Sequence, residues 1–251
     1  EIYTLSLHDA LPILVDMYSM GGLAEYCVIP STSVAKLPGG VDPVAGAILG
    51  CAAMTAYGAV RRGADLRYGE TVAVVATGGV GSNVIQIAKA FGAHRIIAID
   101  VADDKLAAAV ELGATDTVNS AKVNAREAVM ELTGGRGVDV AFEVLGRPQT
   151  WLTALDVLRD GGRMVPIGLG AGVQKAEVEI NRTVRRSQSI IGSYGARTRR
   201  DLPEVVRMAA AGVIDYRHIV SRRYGLDEVA AGYQQLHDGQ ITGRAVVDMS
   251  L

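Results

Sequence analysis

The residues with the clearest chemical potential are Ala76-Thr77-Gly78-Gly79-Val80-Gly81, set between a β-branched run and an apolar helical stretch. The pattern is G-x-G-x-x-G with alanine in the first place. Gly78 lets the backbone approach a pyrophosphate, and Gly81 lets the helix pack closely on the strand before it. The helix N-terminus turns free N–H groups and the positive end of its dipole toward an anion. A glycine-rich turn alone is a common structural device, so the reading rests on context. Asp100 ends the next β-branched run 19 residues after Gly81 (100 − 81), where a dinucleotide-binding fold places the acid that accepts hydrogen bonds from the adenosine ribose. A carboxylate there repels a 2′-phosphate and favours NAD over NADP. Lys105 is placed to reach the same ribose. Ser82 follows Gly81 with no lysine before it, which excludes a P-loop and disfavours phosphoryl transfer.

The elements that must position these residues are legible as an alternation. From Thr71 the sequence runs TVAVV, a helix, RIIAID, a helix, a short strand at Thr117–Val118 and a helix at Ala125–Leu132. It continues with VDVAFEV from Val138, a helix at Gln149–Leu158, RMVPIG from Arg163 and SIIGSY from Ser189. Strands apolar on both faces and separated by helices predict a parallel, doubly wound α/β sheet. Gly113, Gly134 and Gly212 stand where left-handed helix C-caps are expected, and Pro203 is read near a helix start after Asp201. In the helix after TVAVV, Val80, Val84, Ala88 and Phe91 form one buried stripe. Before Thr71 the character differs. Leu23–Pro30 and Ser33–Leu37 read as short strands of a second unit, followed by an Ala-rich helix through Cys51–Val60. Helices from Leu202 and Leu226 and a last strand within Gly243–Met249 return to that unit.

The chain has 251 residues, 49% of them hydrophobic, with a net charge of −2. This is the composition of a packed protein without a basic footprint for nucleic acid or acidic membranes, so small molecules and other subunits are the expected partners. Two cysteines, Cys27 and Cys51, are too few for a disulfide framework or a four-thiolate zinc cluster. No apolar run reaches the roughly 18 residues of a membrane span, and a cytoplasmic location is expected. Glu1–Leu14 joins no periodic pattern and resembles translated sequencing-adapter DNA, so it is read as non-native.

The motifs GGLAEYCVIP, ILGCAAMTAYGAV, TGGVG with Asp100, GGRGVDVAFEVLGRPQT, GGRMVPIGL and ITGRAVV together resemble the C-terminal two-thirds of a zinc-dependent medium-chain alcohol dehydrogenase. The segment EINRTVRRSQSIIGSYGAR is similar to a branch that includes archaeal succinic semialdehyde reductases. The resemblance implies a Rossmann-type NAD-binding domain at 53–193, remnants of a GroES-like β-rich catalytic domain at 15–52, and a return to it at 194–251. It implies hydride transfer between nicotinamide and a small alcohol, aldehyde or ketone, with NADP possible in place of NAD, in a homodimer or homotetramer paired through the sheet edge near Ser189–Ser193. Cys51 would be a ligand of the catalytic zinc and Thr55 would contact the nicotinamide ring. Thr77, Gly78, Gly79, Val80 and Gly81 would carry the pyrophosphate and Arg244 would approach it. Leu145 and Arg147 would flank adenine, the backbone of Ile167, Ser193 and Gly195 would hold the carboxamide, and Leu169 would line the pocket. On residue type alone, Cys51 is a small core side chain, Thr55 a hydroxyl bonded to its own helix, and Arg147 and Arg244 are solvated.

Complete members of the resembled family carry an N-terminal lobe with another zinc Cys and a Gly-His-Glu segment. The histidines here are His8, His94, His218 and His237, and none stands between Gly and Glu. One zinc ligand is far short of the usual three, so the chain as given is expected to bind cofactor without turnover and to expose apolar surface that the lobe would cover. A zinc-free quinone-reductase type, an S-adenosylmethionine-dependent methyltransferase and a non-catalytic cofactor-binding module are the alternatives.

Overall fold

The computed structural model describes residues 23–24, 26, 28–217, 219–241 and 243–251; the reading of Glu1–Leu14 and of Cys27 lies outside them. Six parallel strands form the central sheet: β1 (Thr71–Val75), β2 (Arg95–Asp100), β3 (Asp116–Asn119), β4 (Val138–Glu143), β5 (Leu158–Pro166) and β6 (Ser189–Ile190). Their spatial order is β3-β2-β1-β4-β5-β6, so the chain winds outward in one direction from β1 and then in the other from β4. Successive side chains of a strand point to opposite faces, and the core divides accordingly. Val72, Val74, Ile96, Ala98 and Phe142 pack on one face, whereas Ala73, Val75, Ile97, Ile99 and Ala141 pack on the other.

Helix α1 (Pro43–Gly63) and α2 (Gly79–Ala90) cover the first face. The buried residues of α1 come in pairs four apart, Val44/Ala45, Ile48/Leu49, Ala52/Ala53 and Ala56/Tyr57. That spacing exceeds the 3.6 residues of an α-helical turn, and two wider π-helical segments, Leu49–Ala53 and Ala59–Gly63, accommodate it. By length and composition α1 is able to cross a membrane, with 21 residues and a mean hydropathy of 1.5, which corrects the expectation that no segment is long and apolar enough. Most of it is buried in this fold. Helix α2 is also more enclosed than one stripe, since every residue from Gly81 to Ala88 is buried, because it lies between the sheet and α1.

Helix α3 (Asp103–Glu111) joins the first face, while α4 (Ala125–Leu132) and α5 (Pro148–Asp156) cover the second. Helix α6 (Ile180–Arg185) precedes β6, and α7 (Thr198–Ala210) follows it. Gly113, Gly134 and Gly212 all have positive φ, as the caps require. Three boundaries differ from expectation. The helix after β4 stops at Asp156, and Leu158 opens β5 by pairing with Val138. Helix α7 begins at Thr198, before Pro203, because Asp201 accepts from Arg197 N–H at 2.6 Å and is ion-paired with Arg62 of α1. Burial alone would raise the Asp201 carboxyl, but Arg62 and the Arg197 N–H outweigh it and hold it below the ordinary range.

Ser33–Leu37 forms no strand; Ser31–Ser33 is a short 3-10 turn and the residues to Leu37 are irregular. No described strand lies beside them, and a strand without a partner leaves its backbone groups unpaired. The last strand, β8 (Arg244–Val247), is present and pairs in parallel with β7 (Val220–Tyr224). The polar run VSRRY hid β7 from a reading based on apolar alternation. Helix α8 (Val229–His237) lies between the two strands in sequence.

Candidate functional site

The chain leaves β1 toward one face and β4 toward the other, so a crevice opens at the carboxyl ends of these neighbouring strands, the place where open α/β sheets bind ligands. The 76–81 turn closes one side of it. Ala76, the alanine in the glycine position, has φ +74°, in the left-handed region that costs an L-residue about 1–2 kcal/mol. Its N–H donates to Ile99 O at 2.9 Å. Ala76→Gly is therefore expected to raise stability by about 1 kcal/mol, read from the urea midpoint; an unchanged or lower midpoint would show that the turn is unstrained.

Asp100 holds this turn. Its Oδ2 accepts from Thr77 N–H at 2.8 Å and from the Thr77 hydroxyl at 3.2 Å, and its Oδ1 accepts from Val101 N–H at 2.8 Å and Ala102 N–H at 3.2 Å. The carboxylate is 7% exposed, so a ribose hydroxyl must share an oxygen either with Thr77 or with Val101 and Ala102. Lys105 lies in the first turn of α3, half-buried. Beyond the turn, Ser82 Oγ donates to Thr77 O at 2.9 Å and Asn83 Nδ2 to Gly79 O at 2.8 Å, and the first turn of α2 carries N–H groups without intrahelical partners. Open space lies where a Gly78 side chain would be, whereas a Cβ on Gly79 would strike the Arg244 guanidinium. Arg244, from β8, thus lies over Gly79 at the start of α2, and its Nε is buried without a partner among the described residues. An orphaned guanidinium N–H beside a helix N-terminus is a place for an anion.

The other side of the crevice is built on Glu143, which sequence reasoning missed. This side chain, fully buried, accepts on Oε1 from Leu145 N–H at 2.9 Å, Gly146 N–H at 2.8 Å and the Thr150 hydroxyl at 2.6 Å. An acid directly after the apolar residues Val140, Ala141 and Phe142, at the carboxyl end of the strand, was the available signal. It bends the chain so that Leu145 and Arg147 emerge exposed. Glycines let two loops meet here, since a Cβ on Gly168 would strike the Leu145–Gly146 backbone. Ile167 N–H donates to Glu143 O at 2.7 Å and Ser193 N–H to Pro166 O at 3.0 Å, so the N–H groups of both residues are already engaged. Gly195 packs its carbonyl against Gly58 of α1. Leu169 is exposed.

Cys51 lies in the first π-helical segment of α1, exposed, and shares a cavity of about 370 Å³ with Ile48, Tyr224, Arg244 and Val246. Thr55 follows one turn later, half-buried. Among the described residues no three side chains of His, Cys, Asp or Glu converge. The described donor set therefore does not make a catalytic zinc site, which uses three protein ligands.

Residues 79–211, slightly more than half of the chain, match the family of zinc-binding dehydrogenases. The chain belongs to that family. The family is one of oxidoreductases, which sets aside the methyltransferase alternative. The chain is similar to solved alcohol dehydrogenases. With that of the hyperthermophilic archaeon Aeropyrum pernix it shares 33% identity at a TM-score of 0.78, over 90% of this chain and 64% of the other. For the alcohol dehydrogenase zinc-binding domain protein of Burkholderia ambifaria the values are 30% and 0.79, over 84% and 57%. A zinc-binding dehydrogenase of Sinorhizobium meliloti, bound to NADP, gives 28% and 0.79, over 84% and 61%. The chain thus spans about three-fifths of the length of these relatives.

Proposed function

We propose that this chain is the dinucleotide-binding part of an NAD-dependent oxidoreductase that passes hydride between nicotinamide and a small alcohol, aldehyde or ketone. The observation that carries the reading is the unpartnered Arg244 Nε over the open, glycine-lined N-terminus of α2. Here the Gly78–Gly81 N–H groups and Arg244 bind the pyrophosphate, and Asp100 and Lys105 take the adenosine ribose. Leu145 and Arg147 flank the adenine. The Ile167 and Ser193 carbonyls accept from the carboxamide, with Gly195 beside them and Thr55 against the ring. Bound there, the cofactor supplies or accepts the hydride. The Sinorhizobium relative holds NADP, whereas the Asp100 carboxylate supports NAD in this chain, since it would oppose a 2′-phosphate.

Zinc is assigned no step, because Cys51 is alone among the described residues as a ligand at its cavity; the reaction itself belongs, in this reading, to a longer cytoplasmic protein. The chain is expected to show no zinc-dependent turnover of alcohols, and turnover on adding zinc would refute this. A second copy is proposed to pair along β6, the free sheet edge, where Ile190, Tyr194, Ile180 and Val184 are exposed. The cofactor assignment is tested by fluorescence titration of the chain with NADH and with NADPH. Saturable NADH enhancement at least tenfold tighter than NADPH is expected; equal or tighter NADPH binding would overturn the role of Asp100, and binding of neither by a folded chain would overturn the site.

A further inference from the structure

Between β4 and β5 the pairing is interrupted by a wide bulge. While β4 advances from Val138 to Val140, β5 advances from Leu158 to Arg163, at the strands' amino ends, opposite the crevice. The extra residues carry Arg159 and Asp160 outward, with Gly161 at φ +70°. Arg126 of α4, Arg136 of the loop before β4 and Arg186 after α6 join Arg159 and Asp160 around a cleft of about 520 Å³.

Four guanidinium groups meet two carboxylates here, Asp160 and the buried Asp139, leaving a local excess of two positive charges in a chain whose net charge is −2. Existing bonds hold three of the arginines in place without exhausting them. Arg136 Nη2 lies 3.0 Å from Asp139, and Arg159 places Nε 2.5 Å from Asp139 and Nη1 2.5 Å from Asp160 O. Arg186 Nε lies 2.7 Å from Asp160 while its Nη2 donates to Leu158 O. A guanidinium has five N–H donors, so each keeps several, and Arg186 Nη1 has no partner among the described residues. Arg126 forms no ion pair among them. Preorganised guanidinium forks in excess over carboxylates match the geometry of a tetrahedral oxyanion.

We propose that this cleft binds a small, multiply charged oxyanion of the phosphate class, at a site separate from the crevice. The test is a titration with inorganic phosphate at constant ionic strength, reading the thermal midpoint of the chain, of R244Q and of the double variant R126Q/R136Q. Both substituted arginines of the double variant are exposed, so it should fold. A saturable rise is expected in the wild type and in R244Q, with apparent affinity at least fivefold weaker in R126Q/R136Q. Amide exchange of wild-type residues 159–162 should slow with phosphate, a readout independent of any variant. No saturable response, a response unchanged in R126Q/R136Q, one abolished by R244Q alone, or exchange at 159–162 unaffected by phosphate would each overturn the proposal.

Discussion

Gly81→Val should abolish NADH binding, with affinity falling at least about 100-fold, and should destabilise the fold by about 3 kcal/mol. Any Cβ at this position would collide with the Ala76 carbonyl oxygen and lie 3.1 Å from the Ala76 carbonyl carbon. These are backbone atoms, and no rotamer relieves the contact. Either the turn opens or α2 lifts from β1, and lifting exposes Val84, Ile85, Ile87 and Ala88, all fully buried. Both routes displace the N–H groups that face the anion. Gly39→Ala is the matched control, because nothing lies within 4 Å of its added Cβ; it should leave both quantities nearly unchanged. Binding by G81V within a few-fold of wild type would mean that the turn is not the cofactor's seat.

The second large effect lies beneath the sheet's amino end. Asp139 is 4% exposed and accepts from Thr71 N–H at 2.8 Å, from Arg159 at 2.5 Å and from Arg136 at 3.0 Å. Asp139→Ala removes the acceptor from all three and should cost about 3 kcal/mol at neutral pH. Burial alone would raise the Asp139 carboxyl, but the Thr71 N–H and the two guanidinium groups outweigh it and hold it below the usual carboxylate range. A depressed folded pKa contributes stability that is fully present above the unfolded value, about 3.9, and is lost as pH falls through the folded one. The gap between wild type and D139A, read from urea midpoints, should therefore be constant from pH 7 to about 5 and should shrink in acid below about pH 4. A gap independent of pH down to 3 would show that the carboxylate's charge contributes nothing.

The centre of the sheet was readable from residues alone because β1 and β2, buried on both faces, are short runs rich in β-branched residues: TVAVV and RIIAID became β1 and β2 at those residues. The glycine turn was readable because its spacing to Asp100 is set by one helix and one strand. What escaped depends on partners distant in sequence. VSRRY is a strand because RAVV lies beside it, and Ser33–Leu37 is not one because nothing described does. Helix α7 starts ahead of its proline through an ion pair with Arg62, 139 positions away. Glu143 looked like one more residue of a strand; its three donors come from the loop and helix that follow it. Ala76 read as a weakened match, and the backbone shows it adopting the conformation that glycine would adopt. Asp100 was read as a ribose acceptor, yet its oxygens also tie the turn to β2, a role that spacing alone does not reveal.

In the proposed function the crevice between β1 and β4 holds the dinucleotide. Hydrogen–deuterium exchange of the chain with and without saturating NADH tests it most directly. Slower exchange is expected at 77–82, 101–102 and 144–147, with 116–119 at the sheet edge unaffected. Protection confined to other segments would place the dinucleotide elsewhere, and none at saturation would mean that the crevice does not hold it.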